Sequence, residues 1–165
     1  MTLIPDLAAF KQSLASLPVK TFEPGQTVLA AGSRTGRLFI LRQGVVEVVR
    51  DGQQIALVSE PGAVFGELAI ILDKPHTADV RAVERSEFHV ADASSLLGEN
   101  VAALLYVSAL LARRLDAAND VIVEIKRELE AGKQPGAITK ALEKLENLLS
   151  PSGVNTPDFA YYPIL

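Results

Sequence analysis

Between Val19 and Asp92 the chain breaks into short runs: VKTFEPGQTVL, GRLFILRQG, VVEVVRDG, QQIALVSEPG, ADVRAV and SEFHVAD. Each is rich in β-branched or aromatic residues, and glycine or proline separates it from the next. Strands this closely spaced, with no crossover helices between them, read as an antiparallel sandwich or barrel. Arg50-Asp51-Gly52-Gln53 is the clearest hairpin, because Asp-Gly adopts the tight two-residue turn readily.

The flanks are helical. Leu7, Phe10, Leu14 and Leu17 recur at three- and four-residue steps, which predicts a helix over residues 6–17 closed by Pro18. From Asn100 the period changes again. Leu104, Ser108, Leu111, Leu115, Ala118, Ile122, Ile125 and Leu129 alternate steps of four and three without glycine or proline. A helix over 100–131 would be about 45 Å long, more than a small barrel needs. Its heptad-like stripe suits a homodimer seam through Leu111, Leu115, Ile122, Ile125 and Leu129. The alternative is a helix packed on its own barrel, and Val101, Leu105 and Ala112 widen the apolar face in that direction. GKQPG then ends the helix, and Ile138, Ala141, Leu142, Leu145 and Leu149 mark a second amphipathic stretch over 137–149. Residues 132–165 are read as a short helical and irregular extension of a domain spanning 5–131.

Composition excludes several function classes. A chain of 165 residues and 17.6 kDa fits one domain with an appendage, and 48 % hydrophobic with 22 % charged residues describes a folded protein. A formal charge of −4 and the absence of any Lys/Arg-rich run count against direct nucleic-acid binding. The extension adds three lysines (133, 140, 144) and three acids (143, 146, 158), a net of zero. With no cysteine there is no thiolate chemistry, disulfide or cysteine-ligated metal. The start, MTLIPDLAAFKQ, lacks a basic front followed by a long apolar run, and no apolar stretch is long enough to span a membrane. The expectation is a cytoplasmic protein.

Chemistry concentrates in FGELAIILDKPHTADV, residues 65–80. A helical turn opening at Gly66 would present free N–H groups to an anion, and Glu67 would accept from hydroxyls. Both needs meet in a ligand carrying a phosphate beside a sugar hydroxyl, such as a nucleotide. The plainer alternative is an ordinary turn with Glu67 on its surface. Catalysis has little support. The only histidines are His76 and His89, with no HxH or HExxH spacing, no GxSxG elbow and no Walker or GxGxxG motif. His89, in a strand-like run, reads as structural. The chain reads as a binder, not an enzyme, with no cofactor.

These segments resemble the cyclic nucleotide-binding domain family, found in catabolite-activator-type regulators, kinase regulatory subunits and nucleotide-gated channels. The resemblance covers residues 5–131. FEPGQTVLAAG is similar to the family's opening run, GRLFILRQGVVEVV to its central strand pair, and FGELAIILDKPHTADVRA to its phosphate-binding cassette. SALLARRLDAAN is similar to the start of the dimerising helix. The resemblance implies a mainly β jelly roll, or double-stranded β-helix, with an N-terminal helix and a long C-terminal dimerisation helix. It implies a ribose contact at Glu67, ribose and cyclic-phosphate contacts at Gly66, Leu68 and Ala69, and a phosphate or purine contact at Thr77. His76 stands where the family's arginine pairs with the cyclic phosphate. Ala118 and Asn119 stand where the bacterial regulators place a threonine and a serine against adenine; Asn119 could still read a base edge.

A neutral imidazole offers one hydrogen bond where arginine offers a permanent charge and two prongs. The resemblance therefore implies a dimeric regulatory sensor for a cyclic nucleotide, cyclic AMP first, with weakened affinity. Two alternatives remain open. One is a protein-interaction module of the same fold with no ligand and an unidentified protein partner. The other is the sensor part of a transcription regulator whose DNA-binding domain is not in this chain.

Overall fold

A computed structural model describes residues 7–131, so the extension and its predicted helix over 137–149 lie outside the described residues. A short helix, α1 (Leu7–Leu14), leads into β1 (Val19–Phe22), β2 (Thr27–Leu29), β3 (Arg37–Gln43), β4 (Val46–Arg50), β5 (Gln53–Val58) and β6 (Val64–Phe65). The one-turn helix α2 (Glu67–Ile71) precedes β7 (Asp79–Ala82) and β8 (Ser86–Asp92), and α3 (Ala93–Glu99) and α4 (Val101–Glu130) complete the described chain. Two antiparallel four-stranded sheets face each other, in the orders β1-β8-β3-β6 and β2-β7-β4-β5. This is the jelly-roll arrangement expected of the sequence. The Asp51-Gly52 hairpin joins β4 to β5 with both residues left-handed, at φ 51° and 78°.

The core has two layers. Between the sheets lie Phe22, Leu29, Phe39, Leu41, Val58, Phe65 and Phe88. Phe88 is fully buried and meets Phe22, Phe39 and Phe65 edge-on, with centroids 5.6, 6.1 and 6.0 Å away. On the outer face of the first sheet, Leu38, Ile40, Val64 and Ala91 pack beneath Phe10, Leu14, Leu96, Ala103, Val107 and Leu110 of the helices. That double coverage explains why β3 reads as an unbroken apolar run, LFIL, with four consecutive buried residues. Strand β7, in the other sheet, instead alternates between buried Val80 and Ala82 and more exposed Asp79 and Arg81.

Helix boundaries differ from expectation in two places. Helix α1 stops at Leu14, short of the predicted residue 17, and a tight turn follows in which Leu17 N–H donates to the Leu14 carbonyl at 3.0 Å. Pro18 disfavours helical geometry in the residue before it, and unwinding starts ahead of it. Leu17 still packs on the helix-side core. Helix α3 is an addition: the Asp92 side chain caps it by accepting from Ser95 N–H at 3.0 Å. Its seven residues carry two serines and a glycine, too few apolar positions for a period to show.

Helix α4 packs on its own domain through Ala103, Val107 and Leu110. The predicted seam begins one residue later in each turn, about 100° round the helix. Leu115, Ile122 and Leu129 are exposed, at 64, 48 and 56 %, and Ile125 is half-buried. Leu111 departs from the expected seam by packing against the helix-side core, so intramolecular packing covers part of its surface.

Phe88→Ala should lower unfolding free energy by about 3–5 kcal/mol, the usual cost of removing a fully enclosed aromatic ring. Urea unfolding followed by far-UV circular dichroism would check this; a loss below about 1 kcal/mol would contradict the central packing role.

Candidate functional site

Gly66 bends the chain from β6 into α2 with φ 94°, a left-handed conformation that favours glycine. Space is restrictive as well: a Cβ there would lie 2.8 Å from the Arg37 carbonyl oxygen and 3.4 Å from Cε1 of His76. As at any helix start, the first N–H groups of α2 have no preceding turn to bond.

Glu67 is buried, only 4 % exposed, which removes the surface-turn alternative. Its Oε1 accepts from Nη1 of Arg114 at 2.7 Å, and both side chains are enclosed. A buried carboxylate demands such a partner. Arg114 therefore joins α2 to α4. Its Nε and Nη2 are buried with no hydrogen-bond partner, leaving polar groups beside the pair to which an acceptor could bind.

His76 is buried at 6 % exposure, and burial pushes its pKa below the ordinary histidine range. Its Nε2 lies 3.0 Å from the Thr35 hydroxyl. The surrounding segments are stitched together. Gly32 N–H donates to the His76 carbonyl at 2.8 Å, and His76 N–H donates to the Ser33 carbonyl at 2.9 Å. Ala31 N–H donates to the Asp79 carboxylate at 2.7 Å, and Arg34 reaches Asp73 at 2.9 Å. That backbone donor is the leading cause holding the Asp79 pKa below its usual value.

Gly66, Glu67, Leu68 and Ala69 thus form one continuous turn, with His76 brought against Gly66. Leu68 is exposed and Ala69 buried. Thr77 follows His76 with an exposed side chain, and Asn119 is exposed on α4. Five positions past Arg114, Asn119 lies about 140° round the helix, off the face that meets Glu67. Ala118, half-buried, lies closer to that face. His89 sits on β8 opposite Val19 of β1, away from α2 in the sheet order.

Two members of the constellation were not singled out from the sequence, Arg114 and Thr35. The only signal for Arg114 was indirect: an acid placed in a buried turn requires a cation from elsewhere. Thr35 lies in a loop and gave no signal. Among the described residues, no group of histidine, aspartate or glutamate could hold a metal ion, and no single helix is long and apolar enough to cross a membrane.

Residues 19–98 match the family model described as the cyclic nucleotide-binding domain. The chain carries a domain of that family. Members of the class are regulatory domains, and the match covers both sheets and the turn at Gly66. Over 70 residues the chain is 40 % identical to the acetyltransferase Pat of Mycolicibacterium smegmatis, covering 41 % of this chain and 21 % of that protein. Over 79 residues it is 33 % identical to the cAMP-dependent protein kinase regulatory subunit of Yarrowia lipolytica, covering 48 % and 21 %. The chain thus spans about a fifth of the length of these relatives. The catabolite activator protein of Thermus thermophilus shares the fold, with a TM-score of 0.59 at 22 % identity over 89 % of this chain and 84 % of that one.

Arg114→Met should destabilise the domain by about 3–5 kcal/mol, because it strands a carboxylate in a closed site. Adding Glu67→Leu should recover most of that loss. Chemical denaturation of the single and double variants reads the difference; a double variant no more stable than Arg114→Met would show that the charges are not the cause.

Proposed function

We propose that this chain is a regulatory module whose pocket takes a cyclic nucleotide, cyclic AMP first, through Gly66, Glu67, Leu68, Ala69, His76 and Thr77. The carrying observation is the unpartnered Nε and Nη2 of Arg114, buried beside Glu67 at the turn opened by Gly66. A ribose hydroxyl can donate to Glu67 and accept from such a guanidinium, while the cyclic phosphate lies at the start of α2. A base-edge contact from Asn119 would come from a face of α4 about 140° round from the one that meets Glu67. The module acts without catalysis or cofactor, on a partner protein or an attached domain, in the cytoplasm.

His76 sets the strength of this binding. In the free chain, burial favours the neutral ring. A bound phosphate favours imidazolium and raises the bound-state pKa above the free one. The resulting gain in affinity is fully present below the free-protein pKa and is lost as pH rises through the bound-state pKa. Calorimetric titration of cyclic AMP and cyclic GMP at pH 5.8 and 7.8 tests this. Wild type should bind more tightly at the lower pH. His76→Arg should tighten cyclic AMP binding by on the order of 100-fold at pH 7.8 and flatten the profile. Glu67→Ala should weaken both forms.

A second reading, a protein-interaction module that has lost its ligand, is favoured by the closed setting of His76, whose Nε2 already faces Thr35. No heat from wild type or His76→Arg at millimolar nucleotide would establish that reading over the first.

The module is proposed to work as a parallel homodimer through α4, because Leu115, Ile122 and Leu129 form an apolar stripe exposed among the described residues. Leu115→Glu with Ile122→Glu should give a folded monomer by sedimentation equilibrium. A wild-type chain already monomeric at micromolar concentration would contradict the seam.

A further inference from the structure

The loop between β2 and β3 does more than cover the segment after α2. Thr35 Oγ1 lies 3.0 Å from Nε2 of His76 and also accepts from Arg37 N–H at 3.3 Å. That backbone donor takes one lone pair of the hydroxyl oxygen, which keeps its own proton and a second lone pair for the ring, so the contact fits either direction. A neutral imidazole receiving a proton donor on Nε2 must carry its own proton on Nδ1.

We infer that Thr35 is a positioning residue for the nucleotide site: by donating to Nε2 it holds neutral His76 in the Nδ1–H tautomer, so that Nδ1 presents a donor to the ligand's phosphate. The inference rests on the nucleotide reading above. It makes His76 a hydrogen-bond donor to an anion without requiring a charge, whereas the opposite tautomer would offer the phosphate a lone pair. When the ring becomes protonated, both nitrogens carry hydrogen, and the hydroxyl can turn to accept from Nε2. The influence of Thr35 on tautomer therefore belongs to the neutral range.

The backbone of His76 is held by groups other than this hydroxyl, which separates tautomer from fold. His76 is fixed at its backbone by Gly32 and Ser33. The charged groups on the elements around it are Arg34 paired with Asp73, Lys74, Asp79 paired with Arg81, Arg37 at the head of β3, and Glu67 paired with Arg114. None of these ion pairs includes His76.

The test combines ring spectroscopy with ligand titration on the full chain. Nitrogen-15 histidine ring spectra of ligand-free protein at pH 7.8 should show Nδ1 protonated in wild type and Thr35→Ser. Thr35→Val should lose that fixed state, and His89→Asn assigns the second histidine's signals. Cyclic AMP affinity of Thr35→Val should fall by about 10-fold at pH 7.8 and by about 3-fold or less at pH 5.8, with Thr35→Ser close to wild type at both. An Nε2–H ring in wild type would overturn the inference, as would an equal loss at both pH values, which a purely structural threonine would give. Absence of nucleotide binding by both wild type and His76→Arg would instead overturn the nucleotide reading. The same result would end the proposed role toward phosphate, and the ring spectra would still decide whether Thr35 sets the tautomer.

Discussion

The enclosed pair of Glu67 and Arg114 is the contact on which the site's arrangement depends. Its two members are 47 positions apart in the chain: Glu67 opens α2 between the strands, and Arg114 lies midway along α4. Neither charge would be tolerated alone in that setting. The pair therefore orients the long helix against the turn while leaving two guanidinium nitrogens without partners. A ligand that changes what Glu67 accepts would act directly on the contact between the turn and α4. The helix is then both a wall of the candidate site and the carrier of the exposed stripe at Leu115, Ile122 and Leu129.

A second set of contacts determines the other wall. The loop from Ala31 to Thr35 meets the segment from Asp73 to Asp79 through backbone bonds, the Asp79 carboxylate and the Arg34–Asp73 pair. Backbone bonds do not depend on side-chain identity, and this geometry does not require an arginine at position 76. His76 occupies the place with its Nε2 directed to Thr35. Where the family resemblance implies a permanent two-pronged cation, this chain has a group whose charge and tautomer respond to surroundings. In this chain the response is shaped by burial and by one loop hydroxyl.

Much of the architecture was legible because burial leaves periodic marks. All six strand-like runs correspond to strand segments, with only the two-residue β6 outside them, and the apolar LFIL run reflects a strand covered on both faces. The Asp-Gly turn was readable from local chemistry, since its two residues can adopt left-handed conformations. Helix α3 was not, because seven residues with two serines carry too little pattern, and its cap depends on a single side chain at Asp92. The end of α1 was misplaced for a related reason: Leu17 keeps its place in the core after the helix has ended, so apolar spacing outlasts helical geometry.

The sequence by itself determined the class of fold, the turn at Gly66 and the residues around it, because alternation, glycine placement and cassette order are local properties. It also determined that α4 carries an apolar stripe beyond its own packing needs. Only the tertiary structure decided which carboxylate meets which cation, since 47 positions separate Glu67 from Arg114. It likewise decided that Thr35, 41 positions from His76, faces the imidazole, and that Leu111 belongs in part to the core. Such pairings depend on how sheets and helices close over one another, and that distance in space leaves no period along the chain.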